Sequence, residues 1–309
     1  MKKHRWFAAL VVMVMALAVA GCSKPSSGNE STTGSSGGSG NSSGAGNSGV
    51  SFVKVKGTTI TGNESWTPSS SVFVSGRSIT IPDMYVCDHE VTRGEFKEVM
   101  GTDPSIAGAY DKDGNELTGD DVLNNPVNYV NWYAAIAYCN KLSLKENLTP
   151  CYSVSGVTDW ESLAYSSIPT SSNSTWDELT YDKEADGYRL PTEAEWEWLA
   201  RGGENYTYAG SNTVDDVAWY NSSNTGTREV KTKQANGYGL YDMSGNVEEW
   251  CYDWYNDTVS SSTADTGASS GSNRVQDAKL TEFCKQNSRG GSWNNNASNC
   301  AVSNRNTRR

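Results

Sequence analysis

The chain has 309 residues and a formal net charge of −11 at neutral pH, and 36% of its residues are hydrophobic. An acidic protein repels polyanions, so this charge argues against nucleic acid and anionic lipid as general partners. Only two histidines occur, which is too few for a multi-histidine zinc or iron centre, and His89 is expected to be structural.

The N-terminus predicts a lipoprotein signal. A basic start at residues 1–5 precedes an apolar run over residues 6–20 that is too short to span a bilayer permanently. The run ends in Val19-Ala20-Gly21-Cys22, which resembles the lipobox of bacterial lipoproteins. We expect removal of residues 1–21 and lipidation of Cys22, which would anchor the protein to a membrane without crossing it. An ordinary secretory signal is the alternative, and the serine after the cysteine favours the outer membrane or cell surface.

Composition divides the rest of the sequence into a tether and one domain. Residues 22–50 are almost entirely Ser, Gly, Asn and Thr, and such a segment behaves as a flexible coil about 30 Å from end to end. Residues 51–309 are rich in Trp and Tyr, of which the whole protein has 11 and 16. We expect this part to be one monomeric domain of the α+β class, with short strands and long loops.

The cysteines beyond the leader form an even-numbered set, which allows disulfide pairing in an exported protein. The set contains no Cys-x-x-Cys, and the spacing does not determine which cysteines would pair. Its members are Cys87, Cys139, Cys151, Cys251, Cys284 and Cys300.

Local signals predict three helices. Residues 92–100 form a short amphipathic segment, and Asn131 can cap a helix over Trp132–Lys145, where apolar residues recur at helical spacing. Thr192 and Glu195 form a capping box, in which the hydroxyl and the carboxylate satisfy the first free amides of the third helix. The next glycine in the sequence is placed to end that helix.

Four motifs occur in order along the domain. They are Asn125-Pro126-Val127 with Asn131-Trp132-Tyr133, then Gly187-Tyr188-Arg189-Leu190-Pro191-Thr192-Glu193-Ala194-Glu195-Trp196-Glu197, then Tyr238-Gly239-Leu240-Tyr241-Asp242-Met243-Ser244-Gly245-Asn246-Val247-Glu248-Glu249-Trp250, and finally Arg289-Gly290-Gly291-Ser292-Trp293. Together they are similar to the motifs of the formylglycine-generating-enzyme, or sulfatase-modifying-factor, family. The resemblance implies a C-type-lectin-like α+β fold with a small mixed sheet, two main helices and much irregular structure. Family members usually end in a closing Gly-Phe-Arg strand, whereas this sequence stops at Arg309, so we expect a substitute strand or an open edge.

The resemblance does not extend to the catalytic centre of the family. The family's oxidases hold copper with two cysteines five residues apart, just past the Gly-Gly-Ser-aromatic motif. Here Cys300 matches the second cysteine, but Asn295 stands at the first, and an amide oxygen binds Cu(I) poorly. We therefore expect no enzyme activity, no catalytic residue and no catalytic cofactor, with Cys300 a structural residue.

The resemblance also implies a structural calcium site. Asp242, the carbonyls of Gly245 and Val247, and Glu249 match family positions that bind calcium through oxygen, and this hard-oxygen set suits Ca²⁺. Alternatively, the two carboxylates only bond to nearby amides, and the sequence leaves both interpretations open.

The end of the sequence is rich in asparagine, a residue typical of turns rather than strands. One branch of the family resembles the variable proteins of diversity-generating retroelements, in which a reverse transcriptase randomises adenines in a terminal repeat. Since an AAY codon encodes Asn and its randomised products include no stop codon, Asn marks a position that is free to vary. We expect a variable region at about residues 287–309, with Trp293 and Arg305 as ligand-binding anchors; a core ring at Trp293 and a disordered polar tail are the alternatives. The predicted variable positions are Asn294, Asn295, Asn296, Asn299, Asn304 and Asn306.

These features together predict a surface-displayed lipoprotein that binds an unknown protein or glycan, on a host or bacterial surface, through a diversified C-terminal region. Spirochaete variable lipoproteins combine the same signal, lipobox, fold and tail. The alternatives are a non-diversified binding or structural lipoprotein of the same fold, and an oxygen-dependent formylglycine-generating oxidase.

Overall fold

The computed structural model describes residues 51–221, 226–255, 259–261 and 286–308, and within the first 50 residues only the backbone of three short strands. Most of the predicted signal, Cys22 with its predicted lipid, and most of the tether therefore lie outside the described residues. In the part of the protein that is described, no helix is long and apolar enough to cross a membrane.

The three helices expected from local signals all form, and two short ones join them. The side chains of Thr92 and Thr192 each accept a bond from the amide three residues later, and both complete a capping box. Asn131 caps the central helix by accepting from the amide of Ala134 at 2.9 Å, and Gly202, at φ 61°, ends the third. The helices are α1 Arg93–Met100, α2 Trp132–Lys145, α3 Ser174–Asp177, α4 Glu193–Arg201 and α5 Val214–Val217.

The strands are short and form several small sheets, as expected for an α+β domain. The strands are β1 Ala9–Val14, β2 Leu17–Val19, β3 Gly44–Ala45, β4 Ser51–Val55, β5 Thr58–Ile60, β6 Ile79–Ile81, β7 Met84–Cys87, β8 Gly108–Tyr110, β9 Tyr152–Ser153, β10 Thr180–Tyr181, β11 Gly226–Arg228, β12 Glu249–Trp254, β13 Gln286–Arg289 and β14 Asn306–Arg308. One sheet has the order β2-β1-β7-β4-β3, in which β7 runs antiparallel to β4 and parallel to β1. A second, antiparallel sheet has the order β12-β13-β14, and pairs β5-β6, β8-β11 and β9-β10 complete the described set.

The apolar side chains form two core clusters, one around each main helix. The first surrounds α2, where the rings of Phe96 and Tyr138 stack with centroids 5.3 Å apart. The second surrounds Trp196 of α4, which is fully buried, and includes Val302 from the C-terminal segment. Burial of Val302 ties the end of the protein to the domain core.

The asparagine-rich C-terminal segment is part of the fold. In the described residues β14 pairs antiparallel with β13, with Ser288 opposite Asn306, and a short 3-10 helix spans Ala297–Cys300. The alternative of a disordered polar tail is therefore wrong for residues 286–308.

The five described cysteines beyond the leader are free thiols and all are buried. The disulfide pairing that the even-numbered set of six allows is not formed among these five. Cys284 lies outside the described residues.

Candidate functional site

The segment that follows β13 is held to the domain through its backbone. The amide of Trp293 donates to the carbonyl of Asn246 at 2.8 Å. Gly291 has φ 73°, and a Cβ at this position would lie 2.8 Å from the carbonyl oxygen of Asn299. Only glycine permits so close an approach in the left-handed region, so the path of this segment does not depend on its exposed side chains.

The first of the predicted variable positions lie on the surface. Asn294 and Asn296 are exposed, whereas Asn295 is half-buried. The carbonyl of Asn295 accepts from the amide of Asn221 at 2.9 Å, and its side-chain oxygen accepts from the hydroxyl of Ser292 at 3.0 Å. Two asparagine side chains are thus presented to solvent on a backbone that is fixed at both sides.

The remaining three predicted variable positions, all half-buried, contact each other. The side-chain nitrogen of Asn304 donates to the carbonyl of Asn299 at 3.1 Å and to the side-chain oxygen of Asn306 at 3.2 Å. The side-chain nitrogen of Asn306 is buried and has no hydrogen-bond partner among the described residues. These three positions therefore support one another at the end of the segment, while Asn294 and Asn296 reach solvent.

The two predicted anchors differ in what they offer a ligand. Trp293 is half-buried, whereas the side chain of Arg305 is only 8% exposed. Its Nε and Nη2 donate to Glu193 at 2.6 and 2.7 Å, and its guanidinium lies 4.9 Å from the ring centroid of Tyr255. Burial lowers the pKa of Arg305, but the hydrogen bonds and charge of Glu193 outweigh this effect, so the pKa is raised. Arg305 thus joins the segment to α4, and ligand contact there remains a prediction.

A buried ion-pair network lies beneath this segment. Arg289, fully buried, donates to Glu197 at 2.8 Å and to Glu193 at 3.3 Å. Arg201 donates to Glu197 at 2.7 Å. Sequence reasoning missed this network, although Glu193 and Glu197 stand four residues apart, the spacing that places two side chains on one face of a helix.

Three buried carboxyl groups, those of Glu90, Asp242 and Glu249, influence one another electrostatically. Glu90 accepts from the side-chain nitrogen of Asn246 at 2.8 Å and from the amide of Val247 at 3.0 Å. Asp242 accepts from a backbone amide at 2.7 Å, and burial raises its pKa to about 6. Burial also raises the pKa values of Glu90 and Glu249, with the charge of Asp242 adding to each. No sequence signal indicated Glu90, because it lies 152 positions before Asp242.

Glu249 has an unused ligand atom in this group. Its Oε2 accepts from the indole nitrogen of Trp196 at 2.6 Å, but its Oε1 is buried with no hydrogen-bond partner among the described residues. A buried carboxylate oxygen without a donor requires either a proton or a cation. The unpartnered oxygen of Glu249 supports the predicted calcium site, and Asp242 and Glu249 remain its predicted acidic ligands.

A separate ionisable group joins the end of β7 to α1. Cys87, Asp88 and His89 place their possible metal-ligand atoms within 4.8 Å of one another. His89 contacts Asp88 through Nδ1 at 2.5 Å and Glu95 through Nε2 at 3.3 Å. Burial lowers the pKa of His89, but Cys87 and the two carboxylates outweigh it and raise the pKa well above its usual value. His89 thus serves as a buried link between a strand and a helix.

The sequence profile of the sulfatase-modifying factor enzyme 1-like domain matches residues 46–309. The protein belongs to this family. Its α+β architecture is accordingly the formylglycine-generating-enzyme type of C-type-lectin-like fold, and the resemblance carried by the four motifs is confirmed.

Within the sulfatase-modifying-factor family, the protein is similar to members with different roles. It is 38% identical over 202 residues to the chaperone protein LppX of Paenibacillus barcinonensis, a match that covers 59% of this sequence and 66% of that protein. It is 36% identical over 121 residues to a formylglycine-generating enzyme of Streptomyces coelicolor, a match that covers 33% and 38%. The matches therefore span less than two thirds of each of these relatives.

This protein is similar to a solved structure of the same fold over almost the full length of that structure. It is Treponema denticola variable protein 1, with 35% sequence identity and a TM-score of 0.66, and the match covers 86% of this protein and 92% of that one. The resemblance to a treponemal variable protein is thereby confirmed.

The copper centre of the family's oxidases does not fit the residues of this domain. Cys300 is fully buried and unpaired, and burial raises the pKa of its thiol to about 12. Its sulfur lies 3.9 Å from the carbonyl oxygen of Asn296, and the position expected for a partner thiolate holds Asn295. Cu(I) requires soft thiolate ligands, and a protonated thiol beside an amide does not supply them.

Proposed function

We propose that the protein is a lipid-anchored binding protein, displayed at the outer membrane or cell surface, whose segment 287–309 carries variable ligand contacts. The observation that carries the proposal is the likeness to Treponema denticola variable protein 1 over 86% of the sequence. The predicted variable asparagines support it, because the exposed ones lie on a segment whose backbone is fixed to the rest of the domain.

Exposed side chains on a fixed backbone can change without altering the fold. The backbone bonds of Trp293 and Asn295 do not involve exposed side chains, so replacing Asn294 or Asn296 leaves the frame intact. Substitutions at such exposed positions usually change stability by less than about 0.5 kcal/mol. New side chains there can therefore change ligand choice without a folding penalty. The ligand is proposed to be a protein or a glycan on a host or bacterial surface.

The experiment that tests diversification is to sequence this gene and its flanking DNA in several isolates. We expect a template repeat beside a reverse-transcriptase gene, with differences from residues 287–309 confined to adenines. Residues such as Gly290 and Trp293 should be invariant. An invariant segment with no repeat in any isolate would reject diversification and leave a non-diversified binding or structural lipoprotein of the same fold.

A catalytic function is the other candidate, because relatives in the family include formylglycine-generating enzymes. We propose that this protein lacks that activity, since Asn295 and the buried Cys300 do not form a copper site. Incubation with Cu(I), oxygen and a cysteine-containing peptide should leave the peptide thiol intact. Conversion of that thiol would reject the non-catalytic proposal.

We further propose that Asp242, Glu249 and the carbonyls of Gly245 and Val247 hold a structural calcium ion. The ion would stabilise the charged forms of two carboxyl groups whose pKa values burial raises. It would stabilise the loop on which Trp293 rests through Asn246, and it would take no part in a reaction.

A further inference from the structure

Three side chains with different ligand chemistry converge where β7 ends. Cys87 is the last residue of β7, its thiol is fully buried, and Asp88 and His89 follow it. The Sγ of Cys87 lies 3.7 Å from the Nδ1 of His89, and the Oδ1 of Asp88 lies 2.5 Å from the same nitrogen. One sulfur, one nitrogen and one oxygen thus lie within 4.8 Å of one another.

The separation of the sulfur and the nitrogen matches that of two ligands of a tetrahedral metal ion. Zinc lies about 2.3 Å from a thiolate and about 2.1 Å from an imidazole nitrogen, so at tetrahedral angles these two ligands are about 3.6 Å apart. The distance between Cys87 Sγ and His89 Nδ1 is 3.7 Å. The carboxylate of Asp88 contacts the imidazole directly, and an ion between them would replace that contact by moving the oxygen away by about 1 Å.

A second layer of contacts orients the ligand atoms. The Nε2 of His89 lies 3.3 Å from Oε1 of Glu95, which leaves Nδ1 for Cys87 and Asp88. The second oxygen of Asp88 accepts from the ammonium of Lys231 at 2.7 Å. A carboxylate on the far nitrogen of a metal-binding histidine is the usual outer contact of such sites, because it fixes the ring and makes the ligand more basic.

The backbone that carries these groups is fixed without an ion. β7 pairs with β4 up to Cys87, and the carbonyl of Asp88 accepts from the amide of Tyr241 at 2.8 Å. The other oxygen of Glu95 accepts from the amide of Thr92 at 2.8 Å, as part of the capping box of α1. Ligands on a fixed backbone lose little conformational freedom when they bind, so the arrangement is preorganised.

The cluster lies just beneath the surface. The side chains of Asp88 and His89 are each 10% exposed, and that of Glu95 is 18% exposed. Lys231, which donates to Asp88, has a side chain that is 37% exposed. An ion therefore approaches through the partly exposed carboxylates, and only the thiol of Cys87 is wholly enclosed.

A dication keeps the charge of the cluster balanced. Burial lowers the pKa of His89, but Cys87 and the two carboxylates outweigh it and raise the pKa, while burial raises the pKa of the Cys87 thiol. At neutral pH an imidazolium and the ammonium of Lys231 therefore face the carboxylates of Asp88 and Glu95. A dication that displaces one proton from the imidazolium and one from the thiol leaves the same net charge, so its burial adds no unpaired charge.

The donor set selects the kind of metal. Thiolate sulfur favours soft or borderline ions, imidazole suits zinc and other transition metals, and carboxylate oxygen suits harder ions. Zn²⁺ accepts all three donors in tetrahedral geometry, whereas Ca²⁺ takes oxygen ligands. This cluster therefore differs in chemistry from the calcium site proposed above.

We propose that Cys87, Asp88 and His89 bind a zinc-class dication, with water in the fourth position and with Glu95 and Lys231 as outer contacts. The ion joins the end of β7 to α1, where it stabilises the fold and takes part in no reaction. When it binds, the thiol of Cys87 and the Nδ1 of His89 each release a proton to solvent and form a bond to the metal. The inference goes beyond the proposed function and does not depend on it.

The test is titration of the full-length protein with Zn²⁺ and, separately, with Co²⁺, after treatment with a chelator and a reductant and in saturating Ca²⁺. The calcium fills oxygen sites, so the remaining binding reports on the thiol. We expect one equivalent of zinc, measured in competition with a chromogenic chelator. Calorimetry in buffers of different ionisation enthalpy should show release of about two protons per zinc. Bound cobalt should show the near-ultraviolet charge-transfer band of a thiolate ligand and the intense visible bands of a tetrahedral ion.

The decisive variant is Cys87→Ala. It should lower the zinc affinity at least about a hundredfold, beyond the loss typical of an outer contact, and remove the charge-transfer band. The matched control is Cys139→Ala, which removes an equally buried thiol from α2 and should bind both metals as the parent does. Zinc should raise the Tm of the parent and of the control but not that of Cys87→Ala.

Two results would overturn the site. They are a cobalt complex of the parent without a thiolate band, and a zinc affinity that is equal in the parent and in Cys87→Ala. Thermal unfolding without metal checks the fold of each variant, and if Cys87→Ala does not fold, His89→Gln takes its place with the same expected loss of affinity. Diversification is decided by the isolate sequences and calcium binding by Glu249→Gln, so each proposal fails separately.

Discussion

Replacement of Arg305 by glutamine tests whether the C-terminal segment, residues 287–309, is fixed to the domain by charge. The substitution keeps a polar side chain but removes the two short contacts with Glu193, at 2.6 and 2.7 Å. Both side chains are only 8% exposed, so solvent screening removes little of the effect. We expect a loss of stability with the global fold retained.

The expected loss of stability depends on the partners that Glu193 retains. Removing one partner of a buried ion pair costs about 3–5 kcal/mol when the other is left unpaired. Glu193 still has Arg289 at 3.3 Å and the side-chain nitrogen of Asn287 at 3.1 Å, so we expect a smaller loss of about 2 kcal/mol for Arg305→Gln. Glu193→Gln leaves two arginines without a carboxylate partner at that position and should cost more, about 4 kcal/mol.

The assay is thermal unfolding at neutral pH, combined with hydrogen exchange of the amides of β14. For a domain of this size, about 1 kcal/mol lowers the Tm by roughly 2–4 °C, so Arg305→Gln should lower it by about 4–8 °C. Exchange in β14 should rise before exchange in α2. If Arg305→Gln has the same Tm as Lys112→Gln, a control at a side chain that is 64% exposed, or if Glu193→Gln is the milder of the two changes, then this ion pair does not fix the segment.

Three further predictions concern the surface and the buried acids. Asn294→Ala and Asn296→Ala should each change the unfolding free energy by less than about 0.5 kcal/mol. A larger loss of unfolding free energy, measured in urea, would show that these side chains stabilise the fold. Addition of calcium should raise the Tm of the parent protein but not that of Glu249→Gln, and an equal rise in both would exclude Glu249 as a ligand. Without calcium, the raised pKa of Asp242 stabilises the fold at low pH, and this contribution is lost as the pH rises from 3.8 to about 6. Asp242→Asn should remove that part of the pH dependence, and an unchanged unfolding profile would contradict the assignment.

Local interactions made several parts of the fold predictable. The capping box at Thr192, the cap at Asn131 and the amphipathic pattern of residues 92–100 are all local, so the sequence predicted α1, α2 and α4 with nearly correct bounds. The order of the four motifs predicted the family and its fold. The substitution of Asn295 for a cysteine was likewise visible in the sequence, and with it the misfit to copper.

The contacts around the candidate surface could not be predicted in the same way. Arg305 lies 112 residues after Glu193, and Glu90 lies 156 before Asn246. No periodicity or spacing encodes such pairs, and the expectation that Arg305 is a ligand-binding anchor could not reveal its burial against Glu193.

The sequence by itself determined the three longer helices, the family and the asparagine-rich composition of the C-terminal segment, because capping, helical spacing and motif order depend on neighbouring residues. Only the tertiary structure decided which arginines pair with carboxylates, which asparagines reach solvent and which carboxyl groups are buried. Burial is the physical reason. A charged side chain that is tolerated at the surface destabilises the fold when distant segments exclude water from it and leave it unpaired. That exclusion depends on the packing of the whole domain.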